Sequence, residues 1–189
     1  MPMRRIWLLA LAVLALAAGC APGASLYFAT DTSALYRRLE IGAAAAQGPV
    51  PLLLRGNPFR DVSPDRLAAA TSTAMSRAPA LQPIRLVSGD AGPRMVDHRF
   101  IIAFGEPLVG FDSLCADPEA PFTAPQPVAA IAAFCIGPRM VSTARGRMLE
   151  PVRTPEDPAF AAFVVGLTQA LLPPVNPRLP RCGLVWGMC

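Results

Sequence analysis

Apolar and polar positions along the chain fall into blocks of two periods, near 3.6 and near 2, separated by Pro- and Gly-rich punctuation. Thr32 or Ser33 is placed to cap a helix running to about Ala46, with Leu35, Tyr36, Leu39 and Ala43 as its apolar stripe, and Gln47-Gly48-Pro49 stops it. Val50 to Arg55 reads as a strand, followed by a Gly56-Asn57-Pro58 turn and Phe59 as a core residue. Ser63 as cap, Pro64 at the first helical position and Asp65 near the positive end of the macrodipole predict a helix over about 64–77. Its apolar face is Leu67, Ala70, Thr71, Ala74 and Met75.

Ile84 to Ser88 and Val96 to Phe104 read as the two strands of a hairpin with a long connection. In the second of them Val96, His98, Phe100, Ile102 and Phe104 share one face, which puts His98 on the apolar side. Gly105 to Pro127 has no periodicity and reads as a long loop around Cys115. Val128 to Ile136 and Arg139 to Met148, parted by Gly137-Pro138, predict a second antiparallel pair, with Arg139, Arg145 and Arg147 on one face by period two. A last helix starts at Asp157-Pro158 and ends before Pro173-Pro174, with Phe160, Phe163, Val164, Leu167 and Leu171 on one stripe. Burying such side chains is worth about 1.5–3 kcal/mol each, so this helix docks firmly. The pattern predicts an α+β fold: an antiparallel sheet of about four or five strands with two or three helices packed on one face.

At 189 residues the chain has the length of one domain, and 53% hydrophobic residues supply a core. Its 17 basic residues are all Arg, which reads as genomic base composition before chemistry. Net charge is +4, but Arg4 and Arg5 lie in a segment argued below to be removed, leaving 15 basic against 13 acidic side chains. Those charges are scattered, with Arg37-Arg38 the one remaining doublet, and this argues against a nucleic-acid partner.

Met1 to Arg5 is a short positive region, Ile6 to Ala18 an unbroken apolar run, and Ala17, Ala18 and Gly19 lead into Cys20. This is the anatomy of a secretory signal. Thirteen helical residues reach only about 20 Å, short of the ~30 Å hydrocarbon layer of a bilayer. The ending Leu16-Ala17-Ala18-Gly19-Cys20 resembles the lipobox of bacterial lipoproteins, with Ala17 where Leu is commoner. The resemblance covers the first twenty residues. It implies diacylglycerol on the Cys20 thiol, cleavage between Gly19 and Cys20, and acylation (palmitate or a similar chain) of the new amine. Ala21, which is not Asp, implies by the same resemblance the outer membrane, facing the periplasm. Two or more acyl chains hold a protein stably where one does not.

The expected organisation is then a signal peptide over 1–19, a lipidated cysteine, tether and leading helix over 20–48, an α+β domain over 49–173, and a Pro-rich tail over 174–189. Within the second part, residues 21–31 read as the tether. Beyond Cys20 the cysteines are Cys115, Cys135, Cys182 and Cys189, an even number that suits disulfides in an oxidising compartment. Three connectivities exist; Cys115 with Cys135 and Cys182 with Cys189 is the simplest, the second pair closing the tail. A single His and the absence of Cys-x-x-Cys argue against a metal site or a redox centre, and no cofactor is expected.

Candidate chemistry is sparse. A hydrolase needs His98 as base, with Ser113 and Asp97 or Asp112 as partners, yet Asp97 precedes His98 on a strand and so points to the opposite face. Glu106, Asp112, Asp117 and Glu119 cluster in one loop without a calcium-loop spacing. Arg139, Arg145 and Arg147 suit an anion or lipid headgroup, since guanidinium forks match phosphate and carboxylate. The leading expectation is a membrane-anchored envelope lipoprotein, not an enzyme, with an accessory or assembly role through contacts with other envelope proteins. A periplasmic module binding a lipid or cell-wall fragment between the sheet and the 105–127 loop is the alternative, and a hydrolase using His98 the third reading.

Overall fold

The computed structural model describes residues 25–81, 84–89, 97–107, 113–117, 122–123 and 129–178. Eight strands are present among them: β1 (Ser25–Thr32), β2 (Val50–Arg55), β3 (Leu86–Ser88), β4 (His98–Phe104), β5 (Glu106–Pro107), β6 (Phe122–Thr123), β7 (Ala129–Ile136) and β8 (Arg139–Met148). The helices are α1 (Arg38–Ala46), α2 (Pro64–Met75), α3 (Ser113–Ala116) and α4 (Pro158–Leu171), with a 3₁₀ turn at Pro79–Leu81. Six strands form one sheet in the order β1-β8-β7-β4-β2-β3, and β5 pairs with β6 in a small ribbon. The class is α+β, as the sequence predicts; the sheet is larger than the four or five strands expected, and it is mixed.

Its antiparallel half is β1-β8-β7-β4, and its parallel half is β4-β2-β3. β3 and β4 therefore do not form the hairpin expected of residues 84–104. β2 lies between them, parallel to both, with Val50 opposite Leu86 and Leu52 opposite Phe100. The physical reason is the helix that separates β2 from β3. A crossover helix delivers the next strand parallel to the last, and α2 packs against β3 as such a connection does. Hydrophobic alternation is the same for either pairing, so it gave no warning.

Local chemistry explains both long helices. Ser63 caps α2, its Oγ accepting from the Arg66 amide at 3.3 Å, and Pro64 occupies the first turn; Leu67, Thr71, Ala74 and Met75 are buried. Asp157 caps α4, accepting from the Ala159 amide at 2.8 Å ahead of Pro158. All five expected stripe residues of α4 are buried, together with Thr168. α4 lies across β8, β1 and β7 and against α2. It approaches so closely because the contact is made over two glycines, Gly146 on β8 and Gly166 on α4 itself. A Cβ on Gly146 would meet the Phe163 ring at 2.7 Å, and one on Gly166 the Tyr27 ring at 2.4 Å.

β4 and β7 read as almost continuous apolar runs because both their faces are covered. On the helix side Phe100, Ile102, Phe104, Ala130, Ala132 and Phe134 join Phe160, Phe163 and Leu167 in the main core. On the other side Ile101, Ala103, Ile131, Ala133 and Cys135 form a second cluster with Leu114 and Cys115 of α3. Expecting helices on one face only therefore missed α3.

The amino-terminal elements correct the sequence reading twice. Residues 25–31, read as tether, belong to the edge strand β1, whose Leu26 pairs with Arg147 and Phe28 with Arg145. The first helix begins at Arg38, not at Thr32 or Ser33. Ser33 instead shapes a turn, its Oγ accepting from the Leu35 amide and its carbonyl from the Tyr36 amide. The late start changes the helical phase: Ile41 and Ala44 are buried, while Leu35 and Leu39 face solvent. Among the described residues, no helix is long and apolar enough to cross a membrane.

Candidate interaction surfaces

A disulfide joins Cys115 in α3 to Cys135 in β7, with Cα atoms 5.7 Å apart, and so ties the long connection between β4 and β7 to the second face of the sheet. This is the pairing the sequence favours. Cys20, Cys182 and Cys189 lie outside the described residues, as do Asp112, Glu119 and the whole signal segment.

His98 begins β4 on the helix-covered side, as its period places it. It is 1% exposed and stacks on Phe134 at 6.0 Å. Its Nδ1 lies 3.4 Å from the Gln47 side-chain amide and its Nε2 3.6 Å from a Glu40 carboxylate oxygen. Asp97 is drawn the other way, hydrogen-bonded to the Arg99 guanidinium, which also donates to the Cys115 carbonyl at 2.6 Å. Ser113 opens α3, on the disulfide side of the sheet. The sheet thus stands between His98 and the Ser113 and Asp97 drawn as its partners, and brings it Glu40 and Gln47 instead. Neither was visible from the sequence, because both are remote in the chain and meet His98 only through packing.

The three arginines proposed for anion contact are divided between the two faces. The register jumps from Phe134 opposite Ser142 to Cys135 opposite Met140, so β8 holds one extra residue there. A bulge shifts everything beyond it to the opposite face. Arg139 pairs with Ile136, which packs on the main core, whereas Arg145 and Arg147 pair with Ile131 and Ala129 on the disulfide side.

Arg139 consequently joins a different group, a cleft of about 530 Å³ lined by Asp31, Ser33, Leu35, Glu40, Arg139 and Arg178, among others. Arg178 pairs with Asp31 at 2.5 Å. The walls are fixed from below: Asn176 donates to the carbonyls of Ser33 and Tyr36 at 2.9 and 3.1 Å, and the Tyr36 hydroxyl donates to the Pro173 carbonyl at 2.9 Å. Burial raises the Tyr36 phenol above its ordinary pKa, and Arg38 partly offsets this. Leu35 of its lining is 63% exposed, and Leu39 and Val175, next in the chain to Glu40 and Asn176, are 83% and 59% exposed.

A second exposed apolar group lies on β1. Leu26 and Phe28 are 46% and 58% exposed, on the face turned away from α4, where they neighbour Arg147 and Arg145 in register. Tyr27 between them points inward, stacking on Phe163 and donating to the Ala162 carbonyl. Of the four clustered carboxylates, Glu106 lies in β5 and Asp117 just after α3. Among the described residues, no three His, Cys, Asp or Glu side chains converge as metal ligands would.

No protein-family model matches the chain, and no curated protein matches it in sequence. Among solved structures it is similar to the PelC dodecamer from Paraburkholderia phytofirmans, with 12% identity and a TM-score of 0.42, covering 79% of this chain and 99% of that one. A single-substitution variant of the same PelC dodecamer gives 14% identity and a TM-score of 0.42, over 79% and 98% of the two chains.

Proposed function

We propose that this chain is a lipoprotein of the bacterial envelope, held by diacylglycerol on Cys20 at the outer membrane and facing the periplasm, and that it serves a non-catalytic accessory or assembly role through contacts with other envelope proteins. The signal anatomy and the lipobox resemblance of residues 16–20 support the anchor. The Cys115–Cys135 disulfide suits an oxidising compartment.

The observation that carries the role is the surface at the cleft. Leu35, Leu39 and Val175 expose aliphatic surface at one end of the fold, bordered by Glu40, Arg139 and the Arg178–Asp31 pair. An apolar centre with a charged rim is the anatomy of a protein-contact surface, and exposing such side chains carries a hydration cost that a partner removes. The backbone behind them is rigidly held by Asn176 and Tyr36, so the surface is organised before any partner arrives.

Photo-crosslinking in living cells tests this. A photoreactive residue at Leu39 or Val175 is expected to give a discrete higher-mass adduct, and one at Arg66, exposed beside α4, to give none. Absence of any adduct from Leu35, Leu39 and Val175 alike overturns the role.

A further inference from the structure

We infer that the face of β1 and β8 turned away from α4, bearing Leu26, Phe28, Arg145 and Arg147, rests on the headgroup layer of the membrane that holds the chain. The inference builds on the anchor at Cys20 proposed above and names a second, non-covalent contact with the same bilayer.

Three observations carry it. The first is reach. Leu26 is six positions beyond Cys20, and a fully extended chain covers at most about 3.3–3.6 Å per residue, so Leu26 stays within about 20 Å of the acylated cysteine in every orientation. β1 is thus kept close to the bilayer surface. The second is composition. Pairing across β1 and β8 sets Leu26 beside Arg147 and Phe28 beside Arg145, so two large apolar side chains alternate with two guanidinium groups at one sheet edge. Apolar tips enter the interfacial region while the exposed Arg147 fork takes a lipid phosphate, the division of labour of peripheral membrane surfaces. Asp31, farther along β1, is already held by Arg178.

The third is position. Among the described residues β1 has β8 as its one neighbour in the sheet, and its opposite face is closed by Tyr27 packing on Phe163 of α4. A contact on the outer face therefore leaves both the core and the Leu35–Leu39 surface untouched.

The test uses the full lipidated protein, reconstituted in phosphatidylglycerol-rich vesicles containing brominated lipids, which quench tryptophan at close range. Phe28→Trp and Leu39→Trp are compared, each after subtraction of the parent protein's own emission. The expected result is that both variants float with the vesicles, that Phe28→Trp loses most of its added emission, and that Leu39→Trp keeps most of it. Adding Arg147→Gln should restore much of the Phe28→Trp emission without releasing the protein, since the acyl chains remain. Flotation with equal, weak quenching at both positions overturns the contact and leaves the anchor standing; a second copy or another protein covering this face gives that same pattern. Failure to float overturns the anchor, and the contact with it.

Discussion

The two faces of the sheet are built from the same strands by opposite means. On the helix side, Phe100 stacks on Phe134 at 4.9 Å and Phe160 meets Phe59 and Phe104 at 5.4 and 5.9 Å, under two helices of 12 and 14 residues. On the other side the buried residues are mostly small, Ala103, Ala133 and Cys135 among them, and the cover among the described residues is the four-residue α3. A large aromatic core holds its covering helices by burial alone. A thin cluster beneath one helical turn has little area to bury, and there a covalent link does the holding. The same division extends to the surface: the disulfide side carries Leu26, Phe28, Arg145 and Arg147, and the helix side ends at the Leu35–Leu39 surface and its cleft.

The largest effect is expected on the aromatic side. Phe163 is fully buried, stacks on Tyr27 and abuts Gly146, so Phe163→Ala should cost about 3–5 kcal/mol and Phe163→Asp should abolish folding. A soluble, protease-resistant Phe163→Asp protein would show that the face does not depend on that stripe. On the other side, Cys115→Ser with Cys135→Ser opens a 20-residue separation and should cost about 3 kcal/mol, read as a lower urea midpoint; a reductant should act on the parent in the same direction. If the double variant matches the parent, the cluster around α3 holds itself.

A smaller loss is expected from Gly146→Ala. Its methyl group would collide with the Phe163 ring and push α4 off β8, at about 1–3 kcal/mol by thermal melting. No change would mean that the helix is more loosely seated than its contacts imply. The smallest effect belongs to the exposed pair of Arg66 with Glu156, a bidentate contact at 2.6 and 2.8 Å joining the start of α2 to the segment before α4. Hydrogen bonding from Arg66 holds the Glu156 carboxyl below its ordinary pKa. A carboxyl lowered on folding adds stability above its unfolded pKa and loses it as pH falls through the folded one. Arg66→Gln should therefore slightly lower stability at neutral and alkaline pH, leave it unchanged at pH below the folded pKa, and so flatten the acid limb of the stability–pH curve; a curve that matches the parent throughout would show the pair to be idle.

Much of this architecture was legible in the sequence, wherever a residue acts through its immediate neighbours. Ser63-Pro64-Asp65 and Asp157-Pro158 mark the starts of α2 and α4, Gly137-Pro138 marks the β7–β8 turn, and the pairing of Cys115 with Cys135 follows from nearness in the chain. What escaped depends on relations between distant segments or on small shifts of phase. Alternation in 25–32 does not stand out, because an edge strand exposed on one face has the composition of a linker and its partner β8 is remote in the chain. The extra residue near Val141 moved Arg139 away from Arg145 and Arg147, and a turn at Ser33 rotated the Leu35–Leu39 stripe outward. Of the candidate surfaces, the arginines were legible as residues but not as two groups, and the environment of His98 was not legible at all.

The proposed anchor rests on Cys20. Intact-mass and amino-terminal mass spectrometry of the protein extracted from its own membranes measures the point directly. The expected result is a mature chain beginning at Cys20 and carrying diacylglycerol and an amide-linked acyl group. A chain that retains Met1, recovered from the cell interior with Cys115 and Cys135 reduced, would contradict it.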